Sequence, residues 1–351
     1  MEIIVPDMGH GNCVGIFING SALLVDCGAE SNKVKNFANL IENRVRKANK
    51  KDLIITHYHC DHYNLIDRFP RKFFDNIYLS SLPPDTATAQ AIFEFIALAI
   101  LTSYKKYYLV PQLLLAGKNI HPLIKGDTFT TINKEWDVLW PDYKVIDMIN
   151  GRKIETIQHK IEEIKKKLDD SKRQKFDRWY DILSKSFPKQ PKGQKQHKDL
   201  PTEIPENEKI AKEILKGLTD IEKIFKGIAN RTSLVTRDDD FDFLFTGDID
   251  NVILNHHLQF GDNHYFLIEA PHHGGYYGYA FDNTSTDILV ISRKSKYNSK
   301  AEYFRELPWR ILVDTARIGN SIINRKSHHK DIQFISIEDD KASVYFAFHL
   351  L

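Results

Sequence analysis

The chain has 351 residues, 42% hydrophobic and 27% charged, with a formal charge of +2 at neutral pH. This is an ordinary globular composition, enough for one large domain or two smaller ones. It excludes a global preference for polyanions, so any argument for nucleic-acid binding has to be local. Cys13, Cys27 and Cys60, all in the first sixth of the chain, exclude a disulfide scaffold and a Cys-x-x-Cys zinc knuckle. The start, Met1 to Asp7, lacks a basic region and a long apolar core, and the apolar window 91–101 carries Glu94 and is too short to span a bilayer. A cytoplasmic protein with no membrane partner is the expectation.

In chain order, residues 2–5, 12–18 and 22–25 read as short strands, with Asn19-Gly20 as a hairpin turn between the last two. Gly9 and Gly11 flank His10 in the loop before them. Asp26 and Gly28 end the third strand, where a buried aspartate is expected to brace the loop by hydrogen bonds. Residues 31–48 carry Val34, Phe37, Leu40, Ile41 and Val45 at helical spacing and lead to a buried strand at 53–55. A helix-like segment with Leu65 and Phe69 follows, then a strand at 76–80, a break at Pro83-Pro84 and a long apolar helix at 86–103. Residues 109–120 and 129–140 read as β-rich.

From Gly151 the composition changes: residues 151–200 hold 15 Lys/Arg against 8 Asp/Glu, with Ile154, Ile157, Ile161, Ile164 and Leu168 at helical spacing. We read 151–228 as a lysine-rich helical insertion within a single domain spanning 1–351. It comprises an exposed amphipathic helix, a second helix around 176–187, a polar loop at 188–195 and a third helix at about 207–228. Such a region serves as a solvated hairpin, as a basic rim that concentrates a phosphate-bearing polymer, or as an arm for a protein partner. The core resumes with strands at 233–236, 241–245, 265–269, 287–292 and 309–313, and a closing hairpin of 332–337 with 342–348.

His57-Tyr58-His59-Cys60-Asp61-His62 sets four metal-capable groups directly beyond the strand at 53–55. His57 and His59 point the same way in extended backbone. So many imidazoles crowded together need a shared partner. The design recurs: Thr246-Gly247-Asp248 follows one apolar strand, and Ala270-Pro271-His272-His273-Gly274 follows another. His57 and His59 suit one divalent ion, and Asp61, His62 and one of His272 or His273 suit a second. Asp248 has two oxygens and is placed to bridge. Two cations about 3.5–4 Å apart can share a water, lower its pKa and hold both oxygens of a phosphoryl transfer, with no protein nucleophile. Cys60 reads as a passenger between ligands, and His256-His257 as packing or surface histidines.

The 57–62 segment matches the His-x-His-x-Asp-His signature of the metallo-β-lactamase-fold hydrolases, and the two later segments match that superfamily's later motifs in order. The resemblance covers about 1–110 and 229–345. It implies an α/β fold, the αββα sandwich of two mixed sheets flanked by helices, carrying 151–228 as an insertion. Within the superfamily the chain is similar to the hydrolase domain of the ComEC/Rec2 DNA-uptake proteins and its stand-alone relatives. That similarity rests on Asp7-Met8-Gly9-His10-Gly11-Asn12, Leu24-Val25-Asp26-Cys27-Gly28, Asn230-Arg231-Thr232-Ser233-Leu234-Val235 and Ala270-Pro271-His272-His273-Gly274; transport itself is not carried over.

The resemblance implies that His57 and His59 bind the first ion, that Asp61, His62 and His272 bind the second, and that Asp248 bridges. Asn230 stands where most of the superfamily supplies a histidine. Its neutral amide oxygen predicts a first ion held less tightly, with manganese accepted beside zinc. Asp61 and Asp248 would serve catalysis by a metal-bridging hydroxide, and His273 would meet a leaving oxygen or brace its loop. His10 touches substrate or braces the ligands, and Arg293 or Lys294 binds a phosphate or belongs to an ordinary charged loop. Thr315, in a run similar to a late motif of the subgroup, donates toward the site. Tyr276, Tyr277 and Tyr279 stack bases or simply pack. The expectation is a dinuclear metal-dependent phosphodiesterase acting on nucleic acid. The alternatives are a metal-dependent hydrolase of a small ester (a cyclic nucleotide, a phosphocholine-type diester or a lactone) and a partner-gated accessory protein of a defence system.

Overall fold

Strands that are apolar on both faces must be covered twice, once by another sheet and once by helices. The computed structural model, which describes residues 1–188, 212–294, 301–304, 306–325, 332–338 and 341–347, has this layering. Strands β1 (Glu2–Val5), β2 (Val14–Ile18), β3 (Ser21–Val25), β4 (Lys50–Ile55), β5 (Phe74–Ser80) and β6 (Gly117–Leu123) begin one sheet. Strands β7 (Thr128–Thr131), β8 (Lys134–Trp140), β9 (Val235–Asp238), β10 (Phe243–Phe245), β11 (His264–Glu269), β12 (Ser285–Ile291) and β13 (Trp309–Asp314) build the other. The chain then returns to the first sheet through β14 (Asn320–Arg325), β15 (Ile332–Glu338) and β16 (Lys341–Ala347). The spatial orders are β16-β15-β14-β1-β2-β3-β4-β5-β6 and β13-β12-β11-β10-β9-β8-β7. Both sheets are mixed: β3 to β6 run parallel, as do β10 to β13, and the other neighbours are antiparallel.

Successive side chains of a strand face opposite ways, and the two cores divide accordingly. Leu53 and Ile55 of β4 join the helix-covered core, whereas Ile54 joins Trp136, Phe243 and Leu267 between the sheets. Asn19 and Gly20, with φ of 48° and 78°, form the primed turn that pairs Ile18 with Ser21 across the β2–β3 hairpin.

Several elements differ from expectation. The apolar run from residue 109 is helical at Val110–Ala116, with Pro111 in its first turn, and only Gly117 onward enters the sheet. A short apolar run has no period to separate helix from strand, and proline is pre-set for a first helical turn. The segment after His59 forms two short 3-10 turns, Cys60–His62 and Ile66–Arg68, in place of a helix. The helices of the lysine-rich region span Tyr143–Lys165, Asp170–Ser186 and Lys212–Arg231. The polar loop from 189 and the expected start of the third helix at 207 lie outside the described residues. Ile154, Ile157, Ile161 and Ile164 are buried, packing the first of these helices against the Ala87–Leu101 and Lys212–Arg231 helices. The apolar stripe therefore belongs to the core, and only the opposite face is exposed. Among the described residues no helix is long and apolar enough to cross a membrane.

Candidate metal centre

Parallel strands deliver their carboxyl ends to a common edge. Asp26 follows β3, His57 follows β4, Asp248 follows β10, and His272 and His273 follow β11. Two glycines allow the loops to close on one another. A Cβ on Gly28 would lie 1.5 Å from the Asp61 carbonyl oxygen, and one on Gly247, whose φ is +53°, would lie 2.8 Å from Thr56 Cβ.

Asp26 organises the turn that carries the histidines. Its buried carboxylate accepts from Thr56 N and Thr56 Oγ1 at 2.8 Å each and from Asn12 Nδ2 at 3.0 Å. It also accepts from His62 Nδ1 at 2.7 Å, which directs His62 Nε2 toward Asp248 Oδ1, 3.6 Å away. His57 Nε2 lies 3.7 Å from Asp248 Oδ2 and 2.9 Å from His59 Nδ1, and the His57 and His62 rings are 4.0 Å apart. His57, His62 and Asp248 thus form one compact group of ligand atoms, all within 4.8 Å of one another, and His10, Asp61 and His273 form a second. Asp248 touches both groups, since its Oδ1 is also 3.7 Å from His273 Nε2.

The tandem histidines part company. Both have left-handed backbone, φ 50° at His272 and 55° at His273. His273 Nδ1 donates to the Ser292 carbonyl at 2.8 Å, its ring lies 4.9 Å from that of His10, and its Nε2 faces Asp248. His272 turns to Asn230, whose Nδ2 donates to His272 Nδ1 at 3.0 Å, and sets its ring edge-on to Tyr276 at 4.7 Å. Asp61 is therefore grouped with His273, where the resemblance implies His272. Two consecutive left-handed residues swing their side chains apart, and tandem spacing does not reveal this.

Arg293, Lys294 and Thr315 are engaged with other protein groups instead of standing ready for a phosphate. Arg293 is buried, with Nε 2.8 Å from Asp314 Oδ1 and Nη2 paired to Asp314 Oδ2. Lys294 Nζ lies 2.5 Å from both carboxylate oxygens of Glu30, and buried Thr315 Oγ1 accepts from Arg293 N at 3.0 Å. An aspartate at the end of the neighbouring strand claims the guanidinium, so this loop supports His273 through the adjacent Ser292 carbonyl. His257 lies away from the centre, stacked on Trp140 at 6.0 Å.

Electrostatics suit the donor set to divalent cations. Burial and the neighbouring His62 hold His57 well below its usual pKa, and burial brings His59 down to about 4, so both imidazoles are in the neutral, ligating form. Burial alone would raise Asp248, but His273, His272, His62 and His57 hold it well below the usual carboxylate range. Asp61 is likewise lowered against its burial, by His62 and His59. His62 moves the other way: Asp26 and Asp248 outweigh burial and raise it well above the usual histidine value. His59 Nε2, His62 Nε2, His273 Nε2 and Asn230 Oδ1 are buried with no hydrogen-bond partner among the described residues. Buried orphan donors of this kind, converging with two ionised carboxylates, fit a metal centre.

Two contributors escaped the sequence reading. Asn12 Nδ2 also donates to Glu269 Oε1 at 2.7 Å, tying two buried carboxyls together, and burial with the nearby Asp26 pushes Glu269 up to about 8. The available signals were a glutamate ending an apolar strand and an asparagine in a glycine-flanked loop. Residues 6–89 match the family model described as the metallo-beta-lactamase superfamily, a stretch that includes His10, Asp26 and the whole 57–62 segment. No curated protein matches the chain. The two mixed sheets flanked by helices are the αββα sandwich of that fold.

Proposed function

We propose that the chain, whose residues 6–89 match the metallo-beta-lactamase superfamily model, is a metal-dependent hydrolase that cleaves phosphodiester bonds of nucleic acid with two divalent ions. The observation that carries this reading is Asp248, whose two oxygens face His57 on one side and His62 with His273 on the other. In this assignment His57, His59, Asn230 and Asp248 hold one ion, and Asp61, His62, His273 and Asp248 hold the other. Zinc or manganese bound there would polarise a phosphoryl oxygen and activate water.

The protein's own groups do the rest. Asp26 keeps the Nδ1 proton on His62 and leaves Nε2 for ligation, and the Ser292 carbonyl does the same for His273. His10, packed on His273 and grouped with Asp61, would meet a substrate or leaving-group oxygen or brace the ligands. Nucleic acid is favoured as substrate by the similarity of residues 7–12, 24–28 and 230–235 to the DNA-uptake hydrolases and by the lysine-rich helices that lead into Asn230. Purified protein loaded with zinc or manganese is to be incubated with single-stranded DNA, duplex DNA, RNA and bis(p-nitrophenyl) phosphate. Metal-dependent cleavage of a nucleic acid is expected. No cleavage with both sites shown filled overturns the proposal, and turnover of the small diester alone transfers it to small esters. Dependence on an added protein would make the lysine-rich region a partner arm.

A further inference from the structure

The Tyr143–Lys165 and Lys212–Arg231 helices pack antiparallel along their length. Arg231 Nη1 donates to Asn150 Oδ1 at 2.7 Å, Lys153 lies beside Gly227, and Ile164 lies beside Gly217. Each glycine inside a helix costs on the order of 1 kcal/mol relative to alanine, so each calls for a reason. Packing explains Gly217, because a Cβ there would come within 2.9 Å of Ile164 Cδ1. Packing does not explain Gly227. A Cβ there would meet Lys153 Nζ at 3.6 Å, an ordinary contact with the free end of a flexible side chain.

The bare backbone at Gly227 floors a groove of about 370 Å³ lined by Arg152, Lys153, Thr156, Lys223 and Ile224. Arg152, Lys153 and Lys223 thus border an open space; Lys223 Nζ is 3.1 Å from the Asp220 carboxylate, and the Thr156 hydroxyl donates to the Arg152 carbonyl at 2.8 Å. Lys223, Gly227 and Asn230 are four and three residues apart, so they share one row of the helix. Gly227 precedes Asn230 by roughly 4.5 Å of helix rise.

We propose that this groove is a subsite for the backbone phosphates of a nucleic-acid strand and holds the strand beside the metal centre during cleavage. The proposal rests on the nucleic-acid reading above. A guanidinium and two ammonium groups recognise phosphate oxygens without reading bases, so the subsite is sequence-independent.

Two variants test it: Arg152→Ala/Lys153→Ala/Lys223→Ala removes the charges, and Gly227→Leu fills the groove with every charge kept. Gly227→Leu also raises helix propensity, so loss of fold does not confuse the result. The readouts are KM and kcat on a labelled single strand, the salt dependence of strand binding by anisotropy, and turnover of bis(p-nitrophenyl) phosphate, whose single phosphate is the one cleaved at the metal centre and leaves none for the groove. Both variants are expected to raise KM for the strand about tenfold or more, leaving kcat and small-diester turnover unchanged. The triple variant is expected to flatten the slope of log K against log salt by about 2, the contribution of three phosphates on a single strand. Wild-type KM and slope in both variants, on a strand the enzyme does cleave, overturn the subsite and leave the nuclease reading standing. A flatter slope in the triple variant with Gly227→Leu unaffected also overturns it, because binding then lies outside the groove. If the wild-type protein cleaves no nucleic acid, the nuclease reading falls and the subsite with it.

Discussion

Replacing Asp26 by asparagine isolates the group that aims His62. Asp26 has φ of +58°, a left-handed conformation that asparagine tolerates better than other side chains, so the backbone is expected to hold. In the wild-type protein Oδ2 accepts from Thr56 Oγ1, His62 Nδ1 and Asn12 Nδ2, while Oδ1 accepts from Thr56 N. An asparagine that keeps its oxygen at the Oδ2 position turns an NH2 group toward the Thr56 N–H, leaving two buried donors facing each other. The opposite flip strands three donors, so the first arrangement wins, at a cost of about 1–3 kcal/mol. Loss of the negative charge behind His62 also makes its Nε2 a poorer ligand, and changes of this kind weaken metal binding by about 10–100-fold. Urea denaturation of the metal-free protein and zinc titration against a competing chelator measure the two effects separately. Zinc affinity within about twofold of wild type, in a variant destabilised as expected, would refute the claim that Asp26 positions a ligand.

Three further perturbations follow from the same structure. The Glu269 carboxyl is raised to about 8, so between its unfolded pKa of about 4.3 and that value the folded chain binds more protons than the unfolded one, and stability falls as pH rises through that window. Glu269→Gln removes this titration, and the melting temperature of the metal-free variant should fall less than that of wild type from about pH 5 to pH 8; parallel profiles would contradict the assignment. Ile157 is fully buried between the lysine-rich helices and the core, so Ile157→Ala should cost about 2–5 kcal/mol in urea denaturation, and a negligible loss would place that helix outside the cooperative unit. Asp314→Ala leaves the Arg293 guanidinium buried without its carboxylate, which should cost about 3–5 kcal/mol. It should also loosen the loop that presents the Ser292 carbonyl to His273, so unchanged zinc affinity would sever the link drawn between that ion pair and the metal centre.

The clustering of the candidate ligands was legible in the sequence because part of it is local. His57 through His62 stand within six residues beyond an apolar strand, and strand period and turn chemistry alone imply that they cluster. The layered fold was legible for a similar reason, since strands apolar on both faces can only be buried between a sheet and helices. The helix at Val110–Ala116 was not, because a short run of apolar residues carries no usable period. Pairings between remote elements were decided only in three dimensions. Asp314 reaches Arg293 from the next strand, Asn12 joins Asp26 to Glu269, and the left-handed backbone at two successive residues sends His273 to Asp61 and His272 to Asn230. Sequence spacing specifies which residues can act as ligands, but backbone dihedrals and the arrival of distant strands determine which of them meet.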